Sequence, residues 1–269
     1  MVTKAIIPVA GWGTRRLPIT KSIEKCMLPV GNRPVVDFIV QDCIEAGITD
    51  IYFVVNEHSE QVRDYYRSNI DLNDYLKRTG KTDLLDMVRP PQVSLHYVVQ
   101  SSYGKYGTAI PPSLVFCELA EGESVVIVGG DDFIYNPGGT SAVKRLIDAA
   151  EGVDGAVYGA RVEGGDISRY GVLALDGTLC KGIVEKPTPG SEPSRLINIS
   201  QYVLSYEAMR MIYDYAKTEQ SGEYYITDVV NEYIVNGGKL RAVEIEGTYL
   251  DCGTVESWLA ANRIVMGDS

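Results

Sequence analysis

Lys4-Ala5-Ile6-Ile7-Pro8-Val9, running directly into Ala10-Gly11-Trp12-Gly13-Thr14-Arg15-Arg16, decides how this chain folds. The first run is short, apolar and largely β-branched, which reads as a buried strand, and a glycine-rich turn ends it. Arg33-Pro34 then opens a segment with apolar residues at Val36, Ile39, Val40, Cys43 and Ile44, a helical period that stops at Gly47, where a C-cap glycine belongs. Asp50 to Val55 supplies the next strand. Strand, turn, helix and strand in that order form a βαβ unit, which calls for a parallel sheet with helices on its faces.

The same rhythm continues outward from this unit. A charged helix is expected from about Ser59 to Lys77, strands at Val93–Val99, Ser124–Val128 and Gly155–Arg161, and helices near 107–119 and 140–150. Arg78 to Pro91 is polar and ends in proline, so it reads as a loop or excursion. From Tyr170 to Leu204 short alternating runs take over, with Asp176-Gly177 as a hairpin turn, and these are expected to form an antiparallel insertion. Helices near 206–217 and 225–237, a strand near 240–246 and a last helix from Thr254 complete the reading. The fold class is α/β: a Rossmann-like, mostly parallel sheet flanked by helices, carrying an antiparallel insertion. No linker separates independent units, so residues 1–269 are expected to form a single domain, with halves at 1–135 and 136–253 and a C-terminal helix at 254–269.

The chain carries 25 Lys and Arg against 36 Asp and Glu, a formal charge of −11. Such a balance repels nucleic-acid backbones and anionic lipid surfaces, so neither is an expected partner. The total hides an asymmetry. Residues 1–36 hold Lys4, Arg15, Arg16, Lys21, Lys25 and Arg33 against Glu24 alone, a local +5 that leaves −16 on the remainder. Five scattered cysteines without a C-x-x-C pair read as free thiols of a reducing compartment. The N-terminal apolar run is too short for a signal peptide, so a cytoplasmic protein is expected.

The turn at Gly11–Arg16 is no dinucleotide fingerprint, because Arg16 stands where the third glycine is needed, and it lacks the G-K-[ST] of a Walker A loop. Its glycines let backbone N–H groups approach a phosphate or base, and Arg15 offers a planar fork of donors to phosphate oxygens. Lys21 and Lys25 lie in a loop bounded by Pro18 and Pro29, adding the charge a triphosphate needs. The strand at Val125–Gly130 runs into Asp131-Asp132, where a carboxylate can hold Mg²⁺ or merely begin a turn. Asp251 precedes the last helix and is either a second metal ligand or a first-turn carboxylate. Glu185-Lys186 pairs an acceptor for sugar hydroxyls with a cation for a phosphate. His58 and His96 have no acidic or metal-like company and read as structural.

The run from Ile7 to Val30 resembles the signature of sugar-nucleotide pyrophosphorylases, specifically the bacterial UTP:glucose-1-phosphate uridylyltransferases. Further matches follow in order at Gln100 with Gly104–Ala109, Gly130–Asp132, Tyr170–Val172, Val184–Pro187, Tyr202–Ser205, Gly222-Glu223 with Ile226–Asp228, and Asp251–Gly253. The resemblance implies that Ala10, Gly11, Gln100 and Gly107 hold a uracil base, and that Gly13, Thr14, Arg15 and Lys25 surround a triphosphate. It implies Mg²⁺ on Asp131 and Asp251, and a sugar phosphate at Gly171, Glu185 and Lys186. Glu24 and Cys26 depart from the Pro-Lys-Glu usual around this lysine, and Ser200 replaces a glycine.

The activity so implied is synthesis of UDP-glucose and pyrophosphate from UTP and glucose 1-phosphate, by a homo-oligomer (dimer or tetramer). Arg15 and Lys25 are the expected catalytic cations. A thymidylyltransferase or other sugar-1-phosphate specificity is the enzymatic alternative. A non-catalytic nucleotide-sugar sensor would keep the glycine-rich turn but would not need two metal acids and Lys25.

Overall fold

The computed structural model of the protein describes residues 2–267. Strand β1 (Lys4–Pro8) leads through three 3-10 turns into a small ribbon of β2 (Pro29–Val30) and β3 (Arg33–Pro34), then helix α1 (Val35–Glu45) and β4 (Asp50–Asn56). Helices α2 (Gln61–Tyr66) and α3 (Ile70–Arg78) precede β5 (Ser94–Gln100), α4 (Ile110–Val115), β6 (Ser124–Ile127), β7 (Asp132–Tyr135), α5 (Ala142–Ala149) and β8 (Gly155–Arg161). The chain continues through β9 (Gly171–Asp176), β10 (Leu179–Glu185), β11 (Leu196–Ser205), α6 (Tyr206–Lys217), α7 (Ile226–Val235), β12 (Leu240–Glu244), β13 (Thr248–Asp251) and α8 (Val255–Met266).

Nine strands form one sheet in the order β5-β4-β1-β6-β11-β8-β12-β10-β9. The βαβ unit is present, with β1 parallel to both β4 and β6 and β4 parallel to β5. Beyond β6 the sheet becomes mixed: β11 runs antiparallel to β6 and β8, β12 returns parallel to β8, and β10 and β9 are antiparallel. The alternating segment therefore does not sit apart as an insertion. Its last strand, β11, is a central strand of the sheet, and β9 and β10 extend the edge. Helices bury both faces. Ile7, Phe53 and Val126 face the layer of α1 and α5, while Ile6, Val54 and Ile127 face the layer of α4, α6 and α7. Strands covered on both sides must be apolar on both, which is why β1, β4 and β6 read as continuous hydrophobic runs.

Three expected elements differ in detail. The single helix at 59–77 is two helices, because Arg67 turns out of α2 and Asn69 caps α3 by accepting from the Leu72 N–H at 2.9 Å. The helix near 107–119 is only Ile110–Val115 followed by a 3-10 turn, since Pro111 and Pro112 fit a first turn and nothing deeper. The stretch read as a loop after Arg78 contains a 3-10 segment at Thr82–Val88. Among the described residues, no helix is long and apolar enough to cross a membrane.

Candidate active site

A cleft of about 1140 Å³ opens along the ends of β1, β5 and β6 and crosses to the antiparallel side of the sheet. Ala10, Gly11, Arg15, Lys25, Gln100, Gly107, Asp131 and Asp251, expected around base, triphosphate and metal, all line it. Gly13 and Thr14 stand behind that lining: Gly13 takes a left-handed conformation (φ 64°) and packs against Thr20 and the Lys25 Cβ. The Thr20 hydroxyl donates to the Gly13 carbonyl at 2.9 Å, fixing the turn.

The expected cations separate into two kinds. Lys25 lies over Gly11, where an added Cβ would touch its Cε at 3.5 Å, and its Nζ is 2.9 Å from Asp131 Oδ2. The Arg15 guanidinium rests beside Gly253, 3.3 Å from where a Cβ would stand. Arg16, by contrast, is only 1% exposed and donates through Nη1 to the Lys25 carbonyl at 3.0 Å, with Nη2 3.7 Å from Asp131. Lys21 lies outside the lining. Of these N-terminal cations, Arg15 and Lys25 therefore face the cleft and Arg16 braces it from inside.

Asp131 and Asp251 come together through a ribbon that periodicity did not reveal. Strand β7 pairs antiparallel with β13, with Asp132 opposite Asp251, and the Cys252 N–H donates to the Asp131 carbonyl at 3.3 Å. Burial raises the Asp131 carboxyl, but Lys25, Arg16 and Arg15 outweigh it and hold the group below its ordinary value. Asp132 is desolvated beside that charge and is pushed up to about 7; the Tyr249 hydroxyl donates to its Oδ2, and its buried Oδ1 finds no partner among the described residues. Asp251 Oδ1 accepts from the Gly253 N–H at 2.7 Å. This donor set suits Mg²⁺, which takes one or two carboxylates together with phosphate oxygens and water. Among the described residues, no group of three or more His, Cys, Asp or Glu could cage a metal alone. Asp131 and Asp251 could hold the ion with a substrate's phosphates and water completing its shell.

Gly107 has a structural reason to be glycine. Its φ is 121°, and a Cβ would fall 2.3 Å from the Tyr224 carbonyl oxygen. The segment around it is stitched to the antiparallel side: the Tyr224 N–H donates to Tyr106 O at 2.9 Å, Ala109 N–H to Tyr224 O at 2.9 Å, and Ile226 N–H to Thr108 Oγ1 at 2.9 Å. Just after β4, the Glu57 carboxylate accepts from the Ser102 N–H (3.0 Å) and hydroxyl (2.8 Å).

The expected sugar-phosphate residues flank the cleft without lining it. Gly171 pairs with Glu185 across β9 and β10, and a Cβ at 171 would approach Glu185 Oε1 to 2.9 Å. Lys186 is left-handed (φ 45°), and its N–H donates to Tyr170 O at 3.1 Å. Their neighbours Arg169, Tyr170 and Ser200 do line the cleft, as do Glu223 and Trp12. Trp12, Tyr170 and Glu223 lie within the motifs quoted above and Ser200 is the departure at a glycine position, whereas nothing in the sequence marks Arg169. Ser200 is left-handed too (φ 55°), which explains why glycine suits this position. Its N–H donates to Asn198 Oδ1 at 3.0 Å, and Asn198 Nδ2 donates to the Tyr202 hydroxyl at 2.8 Å, so one side chain spans the bulge in β11. His96 packs on Tyr52 and bonds Asp50 at 3.0 Å, away from the cleft.

Known proteins resemble this chain throughout its length. The UTP–glucose-1-phosphate uridylyltransferase of Staphylococcus epidermidis is 35% identical over 263 residues, covering 94% of this chain and 88% of its own. A namesake from Streptococcus pyogenes is 34% identical over 262 residues, 94% of this chain and 86% of its own. Among solved structures, a UTP-bound UGPase from Acinetobacter baumannii superposes with a TM-score of 0.88 at 26% identity, over 98% of this chain and 93% of that one. The nucleotidyl transferase family profile matches residues 4–266, and the chain belongs to that family.

Proposed function

We propose that this chain is a Mg²⁺-dependent UTP:glucose-1-phosphate uridylyltransferase. The observation that carries the reading is the convergence of Arg15, Lys25, Asp131 and Asp251 on one cleft beside a glycine-rich turn, in a chain with relatives of that name. A phosphate oxygen of glucose 1-phosphate attacks the α-phosphorus of UTP in line. A P–O bond forms, the bond from the α-phosphorus to the α,β-bridging oxygen breaks, and pyrophosphate leaves with that electron pair. The incoming phosphate is already an anion, so no general base is required. The obstacle is repulsion between two anions, and Lys25 and Arg15 reduce it while offering preorganised donors to the developing charge.

Mg²⁺ on Asp131 and Asp251 would supply further positive charge to the triphosphate. Ala10, Gly11, Gln100 and Gly107 take the base, and Gly13 and Thr14 shape the turn beneath the phosphates. Gly171 leaves room for Glu185 to accept from ring hydroxyls, while Lys186 faces the sugar phosphate. Pyrophosphate release across UTP, dTTP, CTP and ATP with several hexose 1-phosphates tests this reading. UTP with glucose 1-phosphate should be the fastest pair. Preference for dTTP would keep the reaction and change the base, whereas tight nucleotide-sugar binding without turnover of any pair would make the protein a sensor.

A further inference from the structure

Lys25 is held from outside the cleft by contacts that the chemistry above does not use. The Glu24 carboxylate accepts from the backbone N–H groups of Glu60 (3.0 Å) and Gln61 (2.8 Å), and its second oxygen accepts from the Ser59 hydroxyl. Gln61 answers in kind: its Oε1 accepts from the Glu24 N–H at 2.9 Å and its Nε2 donates to Ser22 O at 2.8 Å. Ser59 is buried. The loop bearing these partners also reaches the glycine-rich turn, because Asn56 Nδ2 lies 3.5 Å from Ala10 O. On the inner side, Arg16 holds the Lys25 carbonyl, Met27 N–H donates to Glu24 O at 2.8 Å, and Cys26 is fully buried. Only the Lys25 side chain is left to reach the cleft, over Gly11 toward Asp131.

We propose that Glu24, with Gln61, is a positioning residue for Lys25: their reciprocal hydrogen bonds to the loop after β4 fix the backbone from which Lys25 extends. The geometry explains a departure from the signature, since a carboxylate bonded on both oxygens restrains residue 24 through contacts where proline restrains its own φ. The proposal rests on the role given to Lys25 under Proposed function.

The test is a set of single and double variants, read by steady-state pyrophosphate release and by hydrogen exchange on the full chain. Glu24→Ala should lower kcat about tenfold or more while leaving KM for UTP within about threefold, because misplacing a catalytic group costs the transition state more than the ground state. Glu24→Gln keeps an acceptor for both amides and should recover to within about threefold of the parent. In a Lys25→Ala background, Glu24→Ala should cost less than about twofold further, since the residue it positions is gone. Gln61→Ala, the second variant should Glu24→Ala fold poorly, should act in the same direction but less.

Exchange at the Met27 and Leu28 amides should quicken about tenfold in Glu24→Ala. A Glu24→Ala enzyme with unchanged kcat, losses that multiply in the Lys25→Ala background, or unchanged exchange at these amides would overturn the proposal. If the parent turns over no substrate pair, the uridylyltransferase reading fails, while the exchange measurement still decides whether Glu24 holds this loop.

Discussion

The two sides of the sheet build the cleft by different means. On the parallel side, β5-β4-β1-β6, the site groups are side chains and turns just past strand ends: Gly11 after β1, Gln100 closing β5, Asp131 after β6. Parallel strands all end at the same edge, so ligand groups collect there by topology. On the antiparallel side, strand ends alternate between edges, and backbone departures shape the lining and flank of the cleft instead. Ser200 sits in a left-handed bulge of β11, Lys186 turns left-handed at the end of β10, and Gly171 makes space for Glu185. Charge organises one side and backbone conformation the other.

Substitutions can break that contrast, beginning with the largest effect. Lys25→Ala removes the charge we assign to the phosphates, and kcat should fall about 10²- to 10³-fold in a pyrophosphate-release assay. A loss below tenfold would take Lys25 out of the catalytic role. Gly107→Ala strikes the seam between the sides, where a Cβ would meet Tyr224 backbone atoms at 2.3 and 2.4 Å. Urea unfolding should show a loss of about 3 kcal/mol, and unchanged stability would mean that the seam gives way easily.

Gly171→Ala perturbs the antiparallel side alone by displacing the Glu185 carboxylate. KM for glucose 1-phosphate should rise about tenfold with KM for UTP unchanged; an equal rise in both would show that the sides do not act separately. The smallest effect is expected at Ser200→Gly. Releasing a left-handed serine at φ 55° should raise stability by a fraction of a kcal/mol to about 1 kcal/mol, seen as a higher urea midpoint at unchanged slope. A lower midpoint would show that the Asn198 hydrogen bond already absorbs the strain.

The same contrast decides what could be read from the sequence. The opening βαβ unit was legible because β1, β4 and α1 carry period and punctuation together, and the residues expected around base, triphosphate and metal mostly line the cleft. The meeting of Asp131 and Asp251 was implied by resemblance, but its cause was not legible: β7 and β13 are four-residue strands more than a hundred positions apart. Arg16 looked like its neighbour Arg15, and nothing local reveals that one side chain turns inward. The central place of β11 was hidden as well, because an antiparallel strand shows the same alternation in an insertion as in the middle of a sheet. Glu24 stood out as a departure from the signature, but its partners lie 35 to 37 residues away.

We propose that Lys25 and Asp131, joined at 2.9 Å, drive uridylyl transfer in this cleft. Its most direct test is pyrophosphate release from UTP and glucose 1-phosphate with Mg²⁺ by the parent chain, Lys25→Ala and Asp131→Asn. The parent should turn over and each variant should lose about a hundredfold or more, with the folded state intact by circular dichroism. Full activity in both variants would contradict it.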